Sequence, residues 1–171
     1  MDRREYLGRS TVVLSTLVGG CLSSETEPSA PEGMTVETEH WPKDILEKGL
    51  WYQHREREEP PSNYYTIITE KKAVGKKIVE DDDAVEEFTH KTDFDQSYLL
   101  VVQNMMQSAR WLELQRINQR GESVEVDVVT ESPDEDYVDD ATVHSLLIRV
   151  TDPKGVPTEL NVTIDSDPID A

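Results

Sequence analysis

Residues 97–103 (SYLLVVQ) form an almost unbroken apolar run. A run this short and rich in branched residues reads as a central β-strand. Two later segments, 110–118 and 123–130, alternate with a period of two. In residues 110–118, Leu112 and Leu114 fall on one face, and Trp111 and Ile117 fall on the other with Glu113 and Gln115. Residues 119–122 (QRGE) read as a turn, and Val124, Val126 and Val128 then share one face of residues 123–130. The pair is predicted to be a hairpin. An acidic loop over 131–140 leads to a strand at 142–150 (TVHSLLIRV). A turn at 152–155 and a last strand at 159–165 come after it, with Leu160, Val162 and Ile164 facing inward.

The upstream half is less regular. Residues 41–49 suggest one short helical turn closed by Gly49. Residues 50–57 suggest an edge strand stopped by Glu58-Glu59-Pro60-Pro61, and 64–69 (YYTIIT) a good strand. Four lysines, Lys71, Lys72, Lys76 and Lys77, surround Gly75 without an assigned element. Residues 81–90 (DDDAVEEFTH) predict a short helix, capped by Asp81 or Asp82, with Val85 and Phe88 as an apolar i,i+3 pair. Six or seven strands and one short helix predict a mainly β fold, a small antiparallel β-sandwich or partly open barrel. Residues 41–165 are expected to form this single domain, with a C-terminal tail at 166–171. Residues 22–40, rich in Ser, Thr, Glu and Pro, are expected to be a flexible acidic tether, since they hold too little apolar surface to offset ordering entropy.

Charge restricts the partners. The chain has 17 basic and 36 acidic residues, a net −19. Nucleic acid would be repelled by such a field, and so would anionic headgroups. The acid is spread along the chain, and this surface resembles that of proteins from salt-loving archaea. In molar salt the Debye length is about 3 Å, so self-repulsion costs little.

The first 21 residues, MDRREYLGRSTVVLSTLVGGC, state an address. Arg3 and Arg4 precede Tyr6-Leu7, which resembles the signal of the twin-arginine export route. The apolar stretch at 12–18 is interrupted by Ser15 and Thr16 and is shorter than the roughly 20 residues a membrane span needs. Leu17-Val18-Gly19-Gly20-Cys21 resembles a lipobox, with Cys21 as the lipid-accepting thiol. Residues 1–20 are thus read as an export signal and Cys21 as the lipidated start of the tether. The expected location is the outer face of the cell membrane, through a covalent lipid. Cys21 is the only cysteine, so no disulfide can form within the chain.

Chemistry-bearing motifs are sparse. Asp81, Asp82, Asp83, Glu86 and Glu87 are a candidate calcium group, and Asp134, Glu135, Asp136, Asp139 and Asp140 a second one around Tyr137. His40, His54, His90 and His144 lack the spacing of a metal motif. There is no GxSxG elbow and no glycine-rich phosphate loop. Asn161-Val162-Thr163 is an N-glycosylation sequon, with Asn161 on the outward face of its strand. Trp41, Trp51, Tyr52, Tyr64 and Tyr65 are candidates for core filling or for a binding face.

Asp93-Phe94, then the strands at 98–102, 113–118 and 124–129, then Val143-His144-Ser145-Leu146-Leu147, occur in an order similar to that of the PrcB C-terminal-like family of lipoproteins, whose members stabilise a surface protease. The family's glycine-rich stretch before the hairpin is replaced here by Met105-Met106-Gln107-Ser108-Ala109-Arg110. This resemblance implies an accessory role beside a protease. The expected function is a membrane-anchored extracellular lipoprotein, non-enzymatic and without a cofactor, carrying a domain that binds or modulates an envelope protein. Small-ligand or calcium binding is the alternative.

Overall fold

The computed structural model describes residues 28–79, 82–134 and 140–169. The fold is mainly β, as its alternation predicts, with eight strands and three short helices among these residues. In chain order these are β1 (Thr35–Trp41), α1 (Leu50–Glu56), β2 (Asn63–Ile68), α2 (Lys71–Lys77), α3 (Asp83–His90), β3 (Ser97–Gln107), β4 (Trp111–Arg120), β5 (Ser123–Glu131), β6 (Ala141–Thr151), β7 (Glu159–Ile164) and β8 (Asp167–Pro168). They form two four-stranded sheets, ordered β1-β6-β3-β2 and β4-β5-β7-β8. The sheets are separate rather than closed into a barrel.

The first sheet is covered on both faces. Tyr98, Leu100, Val102, Leu146, Ile148 and Val150 pack against Leu112, Leu114, Ile117 and the inward valines of β5, making the core between the sheets. Leu99, Val101 and Leu147 point the other way, onto Ile45, Leu46, Val74, Ile78, Val85 and Phe88 from the helical layer. This three-layer order accounts for the continuous apolar runs of β3 and β6, where alternation would have left one face wet. Each such side chain contributes about 1.5–3 kcal/mol on burial, so these two strands carry much of the stability.

Several elements differ from expectation. Residues 35–40 are not tether but most of β1, paired antiparallel with β6 from Thr35↔Thr151 to Trp41↔Ser145. Residues 50–56 form α1, with Arg57 as its C-cap, rather than an edge strand, and the lysines around Gly75 lie in α2. Residues 41–49 form no helix; Leu46 instead makes a β-bridge with Ile78. Residues 167–168 of the expected tail form β8, and Ile169 is buried behind them. The sheets are not purely antiparallel either, because β5 pairs parallel with β7. The connection between them passes through β6 in the other sheet.

In β4, Leu112, Leu114 and Ile117 are all buried, although strict alternation would separate Ile117 from the leucines. A β-bulge between Leu114 and Arg116 inserts Gln115 and restores Ile117 to the core face. Ser29 lies alongside this bulge: its N–H donates to the Gln115 carbonyl at 3.2 Å, and its own carbonyl accepts from Ile117 N at 2.8 Å. The segment entering the domain thereby covers part of an edge strand.

The helix at α3 obeys its sequence signals. Asp82 caps it by accepting from Ala84 N at 2.9 Å, Asp83 and Glu86 occupy the first turn, and Val85 and Phe88 are buried.

Candidate functional site

Three groups of polar side chains are assembled from distant parts of the chain. The first holds α1 in place. Gln103 is fully buried on β3. Its Oε1 accepts from Leu50 N at 3.0 Å, and its Nε2 donates to Asp44 Oδ1 at 2.7 Å and to Ser145 Oγ at 2.9 Å. Asp44 Oδ2 accepts from Trp51 N at 3.0 Å, and Ser145 Oγ donates to the Lys43 carbonyl at 2.7 Å. The helix start is thus satisfied by Asp44, shortly before it, and by Gln103, 53 residues from Leu50. Every member of the group has partners within the fold, so the group is structural.

The second is a histidine pair between β1 and β6. His144 is fully buried, and its Nε2 lies 3.1 Å from the Gln107 carbonyl. A carbonyl only accepts, so Nε2 carries the proton and Nδ1 is an acceptor. His40 Nε2 donates to that Nδ1 at 3.0 Å, with the rings stacked at 5.2 Å. Burial, and then the neighbouring imidazole, lower the His40 pKa to about 4. Burial also lowers that of His144, against the opposing effects of the Gln107 bond and Asp140. Of the four histidines, the fold brings together only these two. His54 bonds the Pro61 carbonyl at 3.0 Å, and His90 lies 3.6 Å from Glu86. Among the described residues no three His, Cys, Asp or Glu side chains converge as a metal site.

The third group opens to solvent. β1 is the edge strand of its sheet, and most of its residues are exposed. Beside it runs a groove of about 660 Å3 walled by Glu37 and Glu39 of β1 and by Glu87 and Lys91 of α3, with Arg149 of β6 as its floor. The Arg149 side chain is only 7% exposed. Its Nε donates to Thr92 Oγ1 at 3.0 Å, its Nη1 to Glu37 Oε2 at 2.8 Å, and its Nη2 to the Phe88 carbonyl. The guanidinium also stacks on the Phe88 ring at 4.3 Å. Lys91 is held by Glu87 at 2.6 Å, which lowers the Glu87 pKa. Burial raises the Glu39 pKa, helped by the negative charges of Glu87 and Asp82. The groove therefore presents acid next to an unoccupied strand edge.

The sequence-predicted residues scatter. Asp82 is spent on the α3 cap and on Lys43 at 3.1 Å, and Asp140 accepts from Ser108 Oγ at 2.7 Å. Asp81, Glu135, Asp136, Tyr137 and Asp139 lie outside the described residues, as do Arg3, Arg4 and Cys21. The aromatic residues do not share a face. Trp41 is buried edge-on to Phe88, Trp51 is 47% exposed, and Tyr64 and Tyr65 pack toward different cores. Asn161 is exposed as expected, its Nδ2 donating to Ser123 Oγ at 3.3 Å. Sequence reasoning missed the β1–α3 groove. Its one available signal was Arg149, a lone charge inside an apolar strand.

No family model matches the chain, and no curated protein or solved structure matches it.

Proposed function

We propose that this protein is a lipid-anchored extracellular protein whose domain is a non-enzymatic interaction module, and that β1 receives an extended segment of an envelope partner. The single observation that carries the interaction reading is the exposed β1 edge beside the Arg149-floored groove. An open edge offers unpaired backbone groups, and a neighbouring groove selects side chains at alternate positions. Arg149 pairs Glu37 and Lys91 pairs Glu87, so among the described residues Glu39 is the groove acid left without a salt bridge and makes a basic side chain the complementary occupant. The same acids oppose pairing between two copies of β1, where glutamates would face glutamates.

Support for the anchor comes from the sequence. Arg3-Arg4, the short apolar stretch and Cys21 fit export and then lipidation. Tethering would then raise the local concentration of the module near membrane partners.

A photocrosslinker at Thr38 in the full-length protein, on native membranes and at native salt, tests the reading. The expected product is one stoichiometric partner, crosslinked through an extended segment that contains Lys or Arg, and lost in Glu39→Lys. Equal capture by wild type and Glu39→Lys would refute docking at β1. Cys21→Ser is expected to move the protein from the membrane to the soluble fraction, and membrane retention would refute the lipid anchor.

A further inference from the structure

At the opposite edge of the same sheet, α2 packs beside β2, and a cleft of about 180 Å3 lies between them. Lys48, Lys76 and Lys77 line it together with Thr66, over Leu46 and Tyr64. Four of the chain's eight lysines lie within α2, in a protein with 36 acidic and 17 basic residues. We propose that this cleft binds a phosphate group, as a free phosphate or phosphoester or as a membrane headgroup, its clustered lysines offsetting locally the net negative field that repels anions from the rest of the domain. The proposal is independent of the β1 reading.

Convergence of like charges is costly unless something compensates it. Six other cations make salt bridges: Lys43, Lys72, Lys91, Arg116, Arg120 and Arg149. Among the described residues, Lys48, Lys71, Lys76 and Lys77 make none, nor do Arg55, Arg57, Arg110 and Lys154, but of these eight only Lys48, Lys76 and Lys77 share one cleft. The chain carries its own carboxylates at high local concentration, yet no described carboxylate fills this cleft. A dianionic phosphate gains more from three ammonium groups than a single carboxylate would.

Part of the site is already oriented. Lys77 Nζ donates to Thr66 Oγ1 at 3.0 Å and to the Ile67 carbonyl at 2.9 Å, which leaves its third proton for a ligand. The Thr66 hydroxyl can still donate. The α2 dipole and protection of the β2 edge account for basic residues at 76 and 77. Neither accounts for Lys48, which comes from the segment before α1 and whose ammonium also lies 5.7 Å from the centre of the Tyr52 ring.

The test is an amide-resolved NMR titration of the full-length chain carrying Cys21→Ser, at constant ionic strength. Inorganic phosphate and glycerol phosphate are the soluble probes. Vesicles of phosphatidylcholine, with and without phosphatidylglycerol, are the membrane probes, read by flotation. Saturable shifts confined to Lys48, Thr66, Lys76, Lys77 and their neighbours are expected. Lys48→Gln combined with Lys76→Gln should weaken binding at least about tenfold, since two charge-assisted bonds are lost. Both positions are exposed, and an unchanged circular dichroism melt would show the fold intact. Response to the soluble probes alone identifies a soluble phosphate ligand; flotation with phosphatidylglycerol alone identifies a headgroup. Response to neither probe, shifts scattered over the surface, or undiminished binding by the double variant would overturn the proposal.

Discussion

His40 and His144 hold each other uncharged: one donates, the other accepts, and the acceptor's far nitrogen is already committed to the Gln107 carbonyl. Protonation of His144 Nδ1 would place two donors face to face, against the partly buried ring of His40. The folded pKa of His40 is depressed to about 4, below its unfolded value, so the unfolded chain binds the proton first. Stability from this group is complete above pH 6.5 or so, falls as pH drops, and stops falling near pH 4. Linkage alone would give about 3 kcal/mol over that window, and solvent screening of the partly exposed His40 ring reduces the expected loss to about 2 kcal/mol. Protonation of the many surface carboxylates relieves repulsion over part of the same range, so the useful quantity is a difference. Denaturant midpoints at several pH values should show a steeper fall for wild type than for His40→Gln. Parallel curves would remove the pair as the source.

Gly49 is required for a reason other than its backbone angles. A Cβ there would lie 2.2 Å from Asp44 Oδ1 and 2.6 Å from Gln103 Oε1. The Asp44 and Gln103 oxygens accept from Leu46, Leu50 and Trp51, and Gln103 Nε2 also donates to Asp44, so they cannot retreat without leaving donors unpaired, the buried Leu50 N–H among them. Gly49→Ala should destabilise the domain by about 2–4 kcal/mol, mostly by expelling α1 from its seat. A urea titration reads this directly. A cost below about 0.5 kcal/mol, the scale of an ordinary surface change, would show that the network relaxes easily.

The same residues show what the sequence makes legible. β3, β5, β7 and α3 announce themselves, because burial matches the local period and Asp82 supplies a local cap. α1 does not. Its first N–H groups are satisfied by Asp44 and by Gln103, the latter 53 residues away, and its apolar side buries Leu50 alone. β1 is equally silent, since an edge strand facing solvent needs few apolar residues, and it is ordered by β6 more than a hundred positions later. The β4 bulge moves Ile117 across the sheet without a glycine to mark it. The groove inherits this difficulty because one wall is β1. The lysines of α2 are visible in the sequence as a cluster, but their convergence with Lys48 depends on the fold of residues 41–49.

Tyr98 offers a gain in stability. Its ring fills the core between the sheets at 1% exposure, yet its hydroxyl has no hydrogen-bond partner among the described residues. Burial, and then the charge of Asp152, raise its pKa, which keeps the phenol neutral. An orphaned buried hydroxyl costs about 1–3 kcal/mol. Tyr98→Phe removes it and keeps the ring, so the variant should be more stable by about 1 kcal/mol. An unchanged or lowered denaturant midpoint would mean that a water or a local shift satisfies the hydroxyl in solution.

Arg149 joins three elements through one planar group: β6 carries it, Glu37 of β1 accepts from it, and Phe88 with Thr92 fixes the end of α3. Lysine keeps the charge but has neither the fork nor the flat face that stacks on Phe88. Arg149→Lys is therefore expected to cost about 2 kcal/mol, and Arg149→Met slightly more, since Met leaves the Phe88 carbonyl and Thr92 hydroxyl with fewer donors. The exposed Glu37 carboxylate regains water and adds little to that loss. Because the guanidinium ties α3 to the sheet, the loss should be local before it is global. Hydrogen exchange at residues 83–92 should quicken in Arg149→Lys more than exchange in β3 and β5, whose protection tracks global unfolding. Uniform acceleration across all of these segments would instead mean that α3 unfolds only with the whole domain, and that Arg149 stabilises the fold without separately fixing the groove wall.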